Sequence, residues 1–511
     1  MFLCAEYIIV TVIAERLRPI KQEWSDRPLC LPKTRINIIN FVTDWATRPP
    51  DDKSNLLYLF GVAGSGKSTL STTIADNFYQ LGRLGAFFFF DKQGNPPVVD
   101  PGVVVRSLAF QLALFDDQIG QAISNAIVQD PRIPDMVLSR QFQNLLQKPL
   151  QSAQALPDNG PIMVVIDALD ECEHKYSREK LIALLAKEAV HLPSNVRIVV
   201  TSRAEPDIES AFKDESHILM QEVESANESD ISTFIQHRLA KIAKKNDLVQ
   251  WPRATDIDAL VARAAGLFIW ASTACEYVDE ANPLERLGDL LNSDIRRNAE
   301  AALDALYVMA LKSSGIWKDD RSRQNCCAII GLILIAKKPL TFDEIDQLLS
   351  LKSKPFISRL RSVLHYTSQT DPIRIVHLSF QEFLTDPSRC KNGETEGPWL
   401  IQLALHRQQF AERCFERMGS VFHNDFCQLI VDKPSPVYNL DKDVTYTCKH
   451  WVEHVCECPG DFGSRLYNFL SKNILPWLEA MIMLKESRRA EEMLHQLHEW
   501  LKVSLLPVEE N

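Results

Sequence analysis

The sequence has no excess of basic residues, and it lacks the patterns that mark disulfide-rich, membrane-spanning or repeat proteins. Its formal net charge is −11, whereas nucleic acids and acidic membranes are bound by surfaces rich in lysine and arginine. The twelve cysteines are scattered without a disulfide framework. We therefore expect no general affinity for nucleic acid, and reduced thiols in a cytoplasmic protein.

Long apolar runs are also missing. The apolar stretch within residues 1–18 contains Glu6 and has no basic leader, so it does not fit a signal peptide. It is also too short to span a bilayer, and we expect a packed helix there and no membrane span. No internal repeat of 20–50 residues is found, which argues against a propeller or solenoid. A chain of 511 residues predicts three or four domains.

What the sequence does contain is a phosphate loop. Residues 56–70 read LLYLFGVAGSGKSTL, an apolar run followed by the spacing G-x-x-x-x-G-K-[ST] and a run of helix formers. Glycines let the backbone wrap a phosphate closely, and a helix amino terminus adds positive potential. We expect Lys67 to reach the β- and γ-phosphates and the Ser68 hydroxyl to bind Mg²⁺. The predicted nucleotide-binding residues are Gly61, Val62, Ala63, Gly64, Ser65, Gly66, Lys67, Ser68 and Thr69.

A second motif ends in acids. Residues 161–171 read PIMVVIDALDE, an apolar run typical of a strand buried on both faces, followed by three carboxylates. Open α/β sheets place their ligands at the carboxyl ends of strands. Asp167 is predicted to hold Mg²⁺ through water, and Asp170 or Glu171 to orient or deprotonate the attacking water.

A third apolar run ends in Thr201, Ser202 and Arg203. Arg203 is predicted to sense or neutralise the γ-phosphate, which has most effect in a site with little water. The alternative is an arginine that simply faces solvent at a strand end.

The alternation of strands and helices predicts an α/β fold, a P-loop NTPase parallel sheet sandwiched by helices. Helical, winged-helix and all-helical C-terminal domains are predicted to follow it. The four aromatic residues Phe87–Phe90 are interpreted as part of a buried strand and not as a stacking platform. Strands are predicted at Leu56–Phe60, Leu84–Phe90, Ile162–Ile166, Val196–Val200 and His217–Val223. The predicted domains are residues 1–29, 30–225, 226–320, 321–390 and 391–511.

Helical periodicity predicts the helices. Thr341 and Glu344 have the S/T-x-x-E spacing of a capping box and predict the start of a capped helix after Pro339 and Leu340. The predicted helices that bear on the argument are Cys30–Trp45, Ser68–Tyr79, Ser229–Lys244, Thr255–Tyr277, Glu300–Leu311, Asn325–Ile335, Thr341–Leu349 and Ser379–Leu384.

These motifs together resemble the NACHT NTPases of the STAND class of signal-transduction ATPases. The resemblance rests on the phosphate loop, on the cluster Asp167-Ala168-Leu169-Asp170-Glu171 with its small residue after the first acid, and on the Thr-Ser-Arg strand end. It covers about residues 30–390. Three further stretches are similar to segments of the family, namely Cys30–Arg35 (C-x-x-x-T-R in fungal members), Gly266–Ala271 (G-L-F-[IV]-[YW]-A) and Val376–Leu384 (H-x-[ST]-F-x-[DE]-[FY]).

The resemblance implies a switch that is closed with ADP, open with ATP and Mg²⁺, and slow in hydrolysis. It implies that His377 contacts the β-phosphate of ADP, that the protein self-associates on activation, and that it acts in fungal non-self recognition or programmed cell death through an unknown partner. Phe268 stands where many members place a proline against adenine, so a preference for ATP over GTP does not follow. The chain is either a minimal core or a shortened relative without effector and sensor domains.

Other functions compete with the switch. A scaffold that binds nucleotide without turnover would have no need of the acids at 170 and 171. A small-molecule phosphotransferase would be more compact than a chain with roughly 290 residues after the sheet. In the tail, His450, Glu453 and His454 match the zinc-protease pattern H-x-x-E-H, but the segment has the pattern of an amphipathic helix and resembles the Y-x-C-x-x-W-x-x-H stretch of fungal NACHT tails.

Overall fold

The structure is a computed structural model, and the chain in it consists of two compact units, residues 1–303 and 304–511. The division into five domains stays a prediction. The residues described are 11–48, 54–91, 100–152, 160–172, 174–292, 299–366, 368–392, 395–422, 440–458 and 462–504.

A five-stranded sheet forms the centre of the first unit. All its pairings are parallel, and the strand order is β2-β3-β4-β1-β5. Every strand lies within two residues of its predicted bounds, so the predicted α/β fold with a parallel sheet is confirmed. The strands are β1 Leu56–Phe60, β2 Leu84–Phe89, β3 Ile162–Asp167, β4 Val196–Ser202 and β5 Ile218–Glu222.

Both faces of the sheet are covered by apolar side chains. Alternate residues of a strand point to opposite faces, and Tyr58 and Leu59 accordingly belong to two different core clusters. The same holds for Phe87 and Phe88, which are 1% and 0% exposed. The aromatic run is therefore part of a buried strand, as predicted.

The helices that cover the sheet include the predicted helix after the phosphate loop. The helix predicted to begin at Cys30 begins only at Ile36, because Arg35 has a left-handed φ of 57° and Thr34 closes a turn onto Leu31. At the amino terminus, residues 11–17 are helical, and residues 1–10 lie outside the described ranges. The helices with printed bounds are Ile36–Ala46, Lys67–Gln80, Gly102–Phe115, Asp117–Gln129, Leu138–Phe142, Lys148–Ser152, Lys175–Glu188 and Pro206–Phe212, and a π-helical stretch covers Gln143–Gln147.

After the sheet the chain is helical. The single helix predicted for Thr255–Tyr277 is wrong, because Ala265 and Gly266 take φ values of 46° and 79° and break it. The break is packed closely: a Cβ on Gly266 would lie 2.7 Å from the Cβ of Ser225. The helices here are Glu228–Lys245, Ala254–Ala264, Phe268–Asp279, Pro283–Asn292 and Ala299–Ser313.

In the second unit, a group of helices and a short antiparallel hairpin precede a helical tail. The hairpin pairs β6 (Leu364–His365) with β7 (Arg374–Ile375), and a bridge joins Leu340 to Ile373. The winged-helix assignment of this region stays a prediction. A second hairpin pairs β8 (Lys391–Asn392) with β9 (Thr395–Glu396). The helices are Asp320–Ile335, Phe342–Leu349, Lys354–Ile357, Leu378–Thr385, Leu403–Val421, Lys442–Cys456, Gly463–Met483 and Ser487–Ser504.

The helix Phe342–Leu349 begins with the predicted capping box. The backbone N–H of Glu344 donates to Thr341 Oγ1 (3.3 Å), and the backbone N–H of Thr341 donates to Glu344 Oε2 (2.8 Å). We expect Thr341→Ala to lower the free energy of unfolding of the second unit by about 1 kcal/mol. Chemical denaturation measures this change, and hydrogen exchange should be faster in Phe342–Leu349.

The control is Thr341→Ser, which keeps the hydroxyl and should behave like the wild type. Equal stability of the alanine and serine variants would show that the cap contributes nothing.

Candidate nucleotide site

The phosphate loop connects the end of β1 to the start of helix Lys67–Gln80. Gly64 and Gly66 adopt φ values of 76° and 91°, a region that strains residues with a side chain. Space is also limited. A Cβ on Gly61 would lie 2.6 Å from the Val223 carbonyl oxygen, and one on Gly64 would lie 2.1 Å from Ile269 Cγ2. Glycine is therefore required for both backbone conformation and close approach.

Lys67 begins the helix and turns back over the loop. Its Nζ donates to the carbonyl oxygens of Gly61 (2.7 Å) and Val62 (2.9 Å). Burial, opposed by the nearby Asp170 and assisted by Arg203, lowers the pKa of Lys67 to about 8. An anion bound in the loop would favour the charged ammonium for the same electrostatic reason.

Arg35 anchors the loop, a role that the sequence did not reveal. Its Nη2 donates to the Ser65 carbonyl oxygen (2.5 Å) and its Nη1 to that of Glu224 (2.9 Å). Its backbone N–H donates to Asp230 Oδ2 (3.1 Å) in the first turn of helix Glu228–Lys245. The guanidinium carbon lies 5.3 Å from the centroid of the Phe268 ring. The only signal in the sequence was the Thr-Arg pair of the family-like segment.

Helix Phe268–Asp279 covers the same loop from its amino-terminal end. The backbone N–H of Ile269 donates to the Gly64 carbonyl oxygen (3.3 Å). Between these contacts, Ser65 Oγ is buried and has no hydrogen-bond partner among the residues that the structure describes. The loop is thus held by contacts to its carbonyl oxygens and by a turn bond from the Ser65 N–H to the Val62 carbonyl oxygen (3.4 Å). A glycine-rich turn at a helix amino terminus is suited to wrapping an anion.

Asp167, the last residue of β3, is a fully buried carboxylate. Thr201 Oγ1 on β4 donates to its Oδ1 (2.5 Å), and Arg27 Nη2 lies 2.9 Å from its Oδ2. Arg27 comes from the segment before the sheet and was not among the predicted site residues. The next residue, Ala168, has a left-handed φ of 58° and donates its N–H to Thr201 Oγ1 (3.0 Å). This conformation explains the small residue at that position, since bulky side chains are strained there.

Asp170 and Arg203, predicted separately as catalytic residues, are partners of one another. The Arg203 backbone N–H donates to Asp170 Oδ1 (3.1 Å), and Arg203 Nε lies 3.4 Å from Asp170 Oδ2. Glu171 ends the 3₁₀ turn Leu169–Glu171, next to this pair. Asp170 therefore positions Arg203, and which of the two acids acts on water stays a prediction.

The strand order brings these groups to one edge of the sheet. Because β4 lies between β1 and β3, its Thr201–Arg203 end separates the phosphate loop from Asp167. A buried carboxylate, a hydroxyl and a helix amino terminus are the groups that Mg²⁺ and phosphates prefer. The residues present therefore fit a nucleoside triphosphate with Mg²⁺, with Ser68 and Asp167 as the candidate metal-binding residues.

His377 lies in the second unit, where it caps helix Leu378–Thr385. The Ser379 N–H donates to His377 Nδ1 (3.1 Å), and the Ser379 hydroxyl lies 2.7 Å from the same atom and 2.8 Å from the Tyr307 hydroxyl. Its predicted contact with a nucleotide stays a prediction.

The H-x-x-E-H residues lie on helix Lys442–Cys456, which confirms the helical interpretation. His450 Nδ1 is 2.7 Å from Glu453 Oε2, and His454 Nε2 is 3.0 Å from the Tyr446 hydroxyl. Burial lowers the pKa of both histidines. Within the described ranges, no group of three histidine, cysteine or acidic side chains is placed to hold a metal ion.

Residues 40–203 match the family model described as Nephrocystin 3, N-terminal. This segment contains the phosphate loop, the Asp167–Glu171 cluster and Arg203. The match supports a NACHT-related P-loop NTPase core in these residues. No curated protein matches the chain. In the part of the chain that the structure describes, no helix is long and apolar enough to cross a membrane.

The likenesses to solved structures are weaker. One is a signal transduction ATPase with numerous domains and a tetratricopeptide repeat sensor from Pyrococcus horikoshii, with 12% identity and a TM-score of 0.44 over 94% of this chain. This chain covers 66% of that protein's length. Another is Cdc6p from Pyrobaculum aerophilum, with 11% identity and a TM-score of 0.30, covering 72% of this chain and 95% of that one.

Gly64 offers a test of the loop geometry, because the chain provides a matched control. Gly82 also has a left-handed φ (65°), but a Cβ there would meet nothing within 4 Å. We expect Gly82→Ala to lower the free energy of unfolding by about 1–2 kcal/mol. Gly64→Ala should cost about 1–3 kcal/mol more, because of the clash with Ile269.

Chemical denaturation of the two variants, with and without Ile269→Ala, separates strain from clash. Ile269→Ala removes the Cγ2 atom at 2.1 Å but keeps the Cβ at 2.9 Å, so the excess cost of Gly64→Ala over Gly82→Ala should fall in that background without vanishing. An unchanged excess would show that the clash with Ile269 Cγ2 is not its cause.

Proposed function

We propose that this chain is a nucleotide-operated signalling switch that binds ATP or ADP with Mg²⁺ and hydrolyses ATP slowly. The observation that carries the proposal is the meeting of the phosphate loop, Asp167 and the Arg203–Asp170 pair at one edge of a parallel sheet. A protein that only needed a stable core would have no reason to bury a carboxylate beside a glycine-rich loop, since burying a charge is costly.

Each residue has a proposed task. Lys67 would exchange its bonds to the loop carbonyls for the β- and γ-phosphates, and Arg203 would sense the γ-phosphate. Ser68 and Asp167 would hold Mg²⁺, which when bound neutralises phosphate charge. Glu171 would orient or deprotonate the attacking water, and Asp170 would position Arg203, with which it pairs.

A switch further needs an element whose contacts depend on the ligand. Arg35, which precedes β1 in the chain, and Ile269, which follows β5, both bind carbonyl oxygens of the phosphate loop. A change in loop conformation on nucleotide binding would therefore be transmitted to helix Phe268–Asp279. We further propose that His377 contacts the β-phosphate in the closed state, that release of this contact accompanies self-association, and that the pathway is fungal immunity-like or cell-death signalling.

The direct test is to purify the protein, identify any bound nucleotide, and measure ATP turnover without an acceptor. Bound ADP with slow turnover supports the switch. Binding without turnover favours the scaffold, and turnover that requires a small acceptor favours the phosphotransferase. Absence of affinity for ATP with Mg²⁺ would overturn all three.

Lys67→Ala tests the binding step. It removes a charge-assisted contact to phosphate worth about 1.5–3 kcal/mol, so ATP should bind roughly ten- to a hundred-fold more weakly. Fluorescence titration with a labelled nucleotide measures this. Lys187→Ala removes the same charge from the exposed side of helix Lys175–Glu188 and should leave the affinity unchanged. Equal affinities of the two variants would refute the assignment of the loop.

Glu171→Gln tests the chemical step. It should leave ATP affinity within about twofold of the wild type and slow turnover by about a hundredfold or more, since general-base catalysis contributes that much. Asp170→Asn is the matched comparison: it should free Arg203 and weaken ATP binding as well as turnover. Wild-type turnover in Glu171→Gln would mean that another group activates the water.

A further inference from the structure

The segment before the sheet, residues 18–27, is bound along the edge strand β2, and we call it the strap. Gln22 satisfies both backbone groups of Phe89 as a neighbouring strand would: its Nε2 donates to the Phe89 carbonyl oxygen (2.6 Å), and its Oε1 accepts from the Phe89 N–H (3.0 Å). Trp24 stacks on Phe87, with ring centroids 5.8 Å apart, and meets Tyr79 edge-on at 5.6 Å. The strap is therefore docked by specific polar and aromatic contacts.

The strap ends with Arg27 at the nucleotide site. The guanidinium carbon lies 4.4 Å from the Phe89 ring centroid, a cation–π contact, and Nη2 lies 2.9 Å from Asp167 Oδ2. Asp167 has no exposed surface, whereas the Arg27 side chain is 23% exposed. The arginine thus reaches from the solvent side to a carboxylate that has no access to bulk water, and it supplies the positive partner that a buried carboxylate requires.

The partner of Asp167 Oδ2 is important because the same carboxylate is the proposed Mg²⁺-binding acid. At 2.9 Å, the guanidinium and the carboxylate form a direct ion pair, although Oδ2 has no hydrogen-bond partner among the described residues. Neither a metal ion nor its bound water fits between two groups at this distance. Thr201 holds the other oxygen, Oδ1, at 2.5 Å. Arg27 and hydrated Mg²⁺ therefore compete for one position.

We propose that Arg27 is a built-in competitor of Mg²⁺ at Asp167, and that the strap is released from β2 when nucleotide and Mg²⁺ bind. This inference rests on the proposed function. By linkage, the effect is reciprocal. The docked strap weakens Mg²⁺-dependent nucleotide binding, and Mg²⁺ with nucleotide weakens docking of the strap by the same factor. Whether the strap is docked on β2 therefore depends on whether nucleotide and Mg²⁺ are bound.

An arginine at this position has one other possible task, which is to bind the phosphates directly. The two tasks predict opposite effects of removing the side chain. Loss of a competitor tightens ATP binding in the presence of Mg²⁺, whereas loss of a phosphate ligand weakens it with or without the metal.

The first experiment compares ATP affinity of Arg27→Ala with that of the wild type, in Mg²⁺ and in EDTA. We expect about three- to tenfold tighter binding in Mg²⁺, and equal binding in EDTA. Gln22→Ala, which undocks the strap without touching Asp167, should show the same pattern. Lys21→Ala removes a charge from an exposed position of the strap and should change neither value. Weaker ATP binding of Arg27→Ala in both conditions, or no change in either, would overturn the proposal.

The second experiment uses the wild-type chain and does not depend on variants that fold. Hydrogen exchange across residues 18–27 is measured without nucleotide, with a non-hydrolysable ATP analogue in EDTA, and with the analogue and Mg²⁺. Exchange should accelerate only in the last condition. If the analogue binds with Mg²⁺ and exchange in the strap stays slow, the inference fails while the proposed function stands. If the analogue does not bind at all, the proposed function fails first.

Discussion

The site depends on one constraint, the burial of the Asp167 carboxylate at the end of β3. Burying a carboxylate is costly unless the charge is paired and hydrogen-bonded. The partners come from two distant segments: Thr201 from the adjacent strand β4, and Arg27 from the strap. Ala168 then bends the chain sharply in a left-handed conformation, which directs Asp170 towards Arg203. The geometry of this edge of the sheet follows from pairing this one buried charge.

The phosphate loop is under a comparable constraint of space. Val223 and Ile269 lie so close to its glycines that a side chain there would clash. Its carbonyl oxygens accept hydrogen bonds from Lys67, Arg35 and the Ile269 N–H. The loop is therefore not an isolated turn but a junction between the sheet and the helices that follow it. A ligand that alters the loop must also alter these contacts, and this coupling is the physical basis of the proposal that the site acts as a switch.

Much of this fold was accessible from sequence. The five strands are short apolar runs bounded by polar residues, and the capping box at Thr341 is a local pattern of side-chain and backbone bonds, so both were predicted correctly. The helix predicted across Thr255–Tyr277 failed because apolar spacing continues through Gly266, while the chain there needs a left-handed residue for close packing against Ser225. The helix predicted from Cys30 failed for a similar reason at Arg35, whose left-handed backbone serves its contacts with the loop and with Asp230.

The sequence by itself determined the phosphate loop, the strands and the acids that end β3, because each is encoded within about ten neighbouring residues. The tertiary structure alone decided which of those acids faces which partner. That Asp170 holds Arg203, that Arg35 anchors the loop and that Arg27 pairs with Asp167 all depend on the strand order β2-β3-β4-β1-β5 and on the path of the strap along β2. Hydrophobic periodicity specifies that strands form but not which strands become neighbours, so contacts between distant segments emerge only once the sheet is assembled.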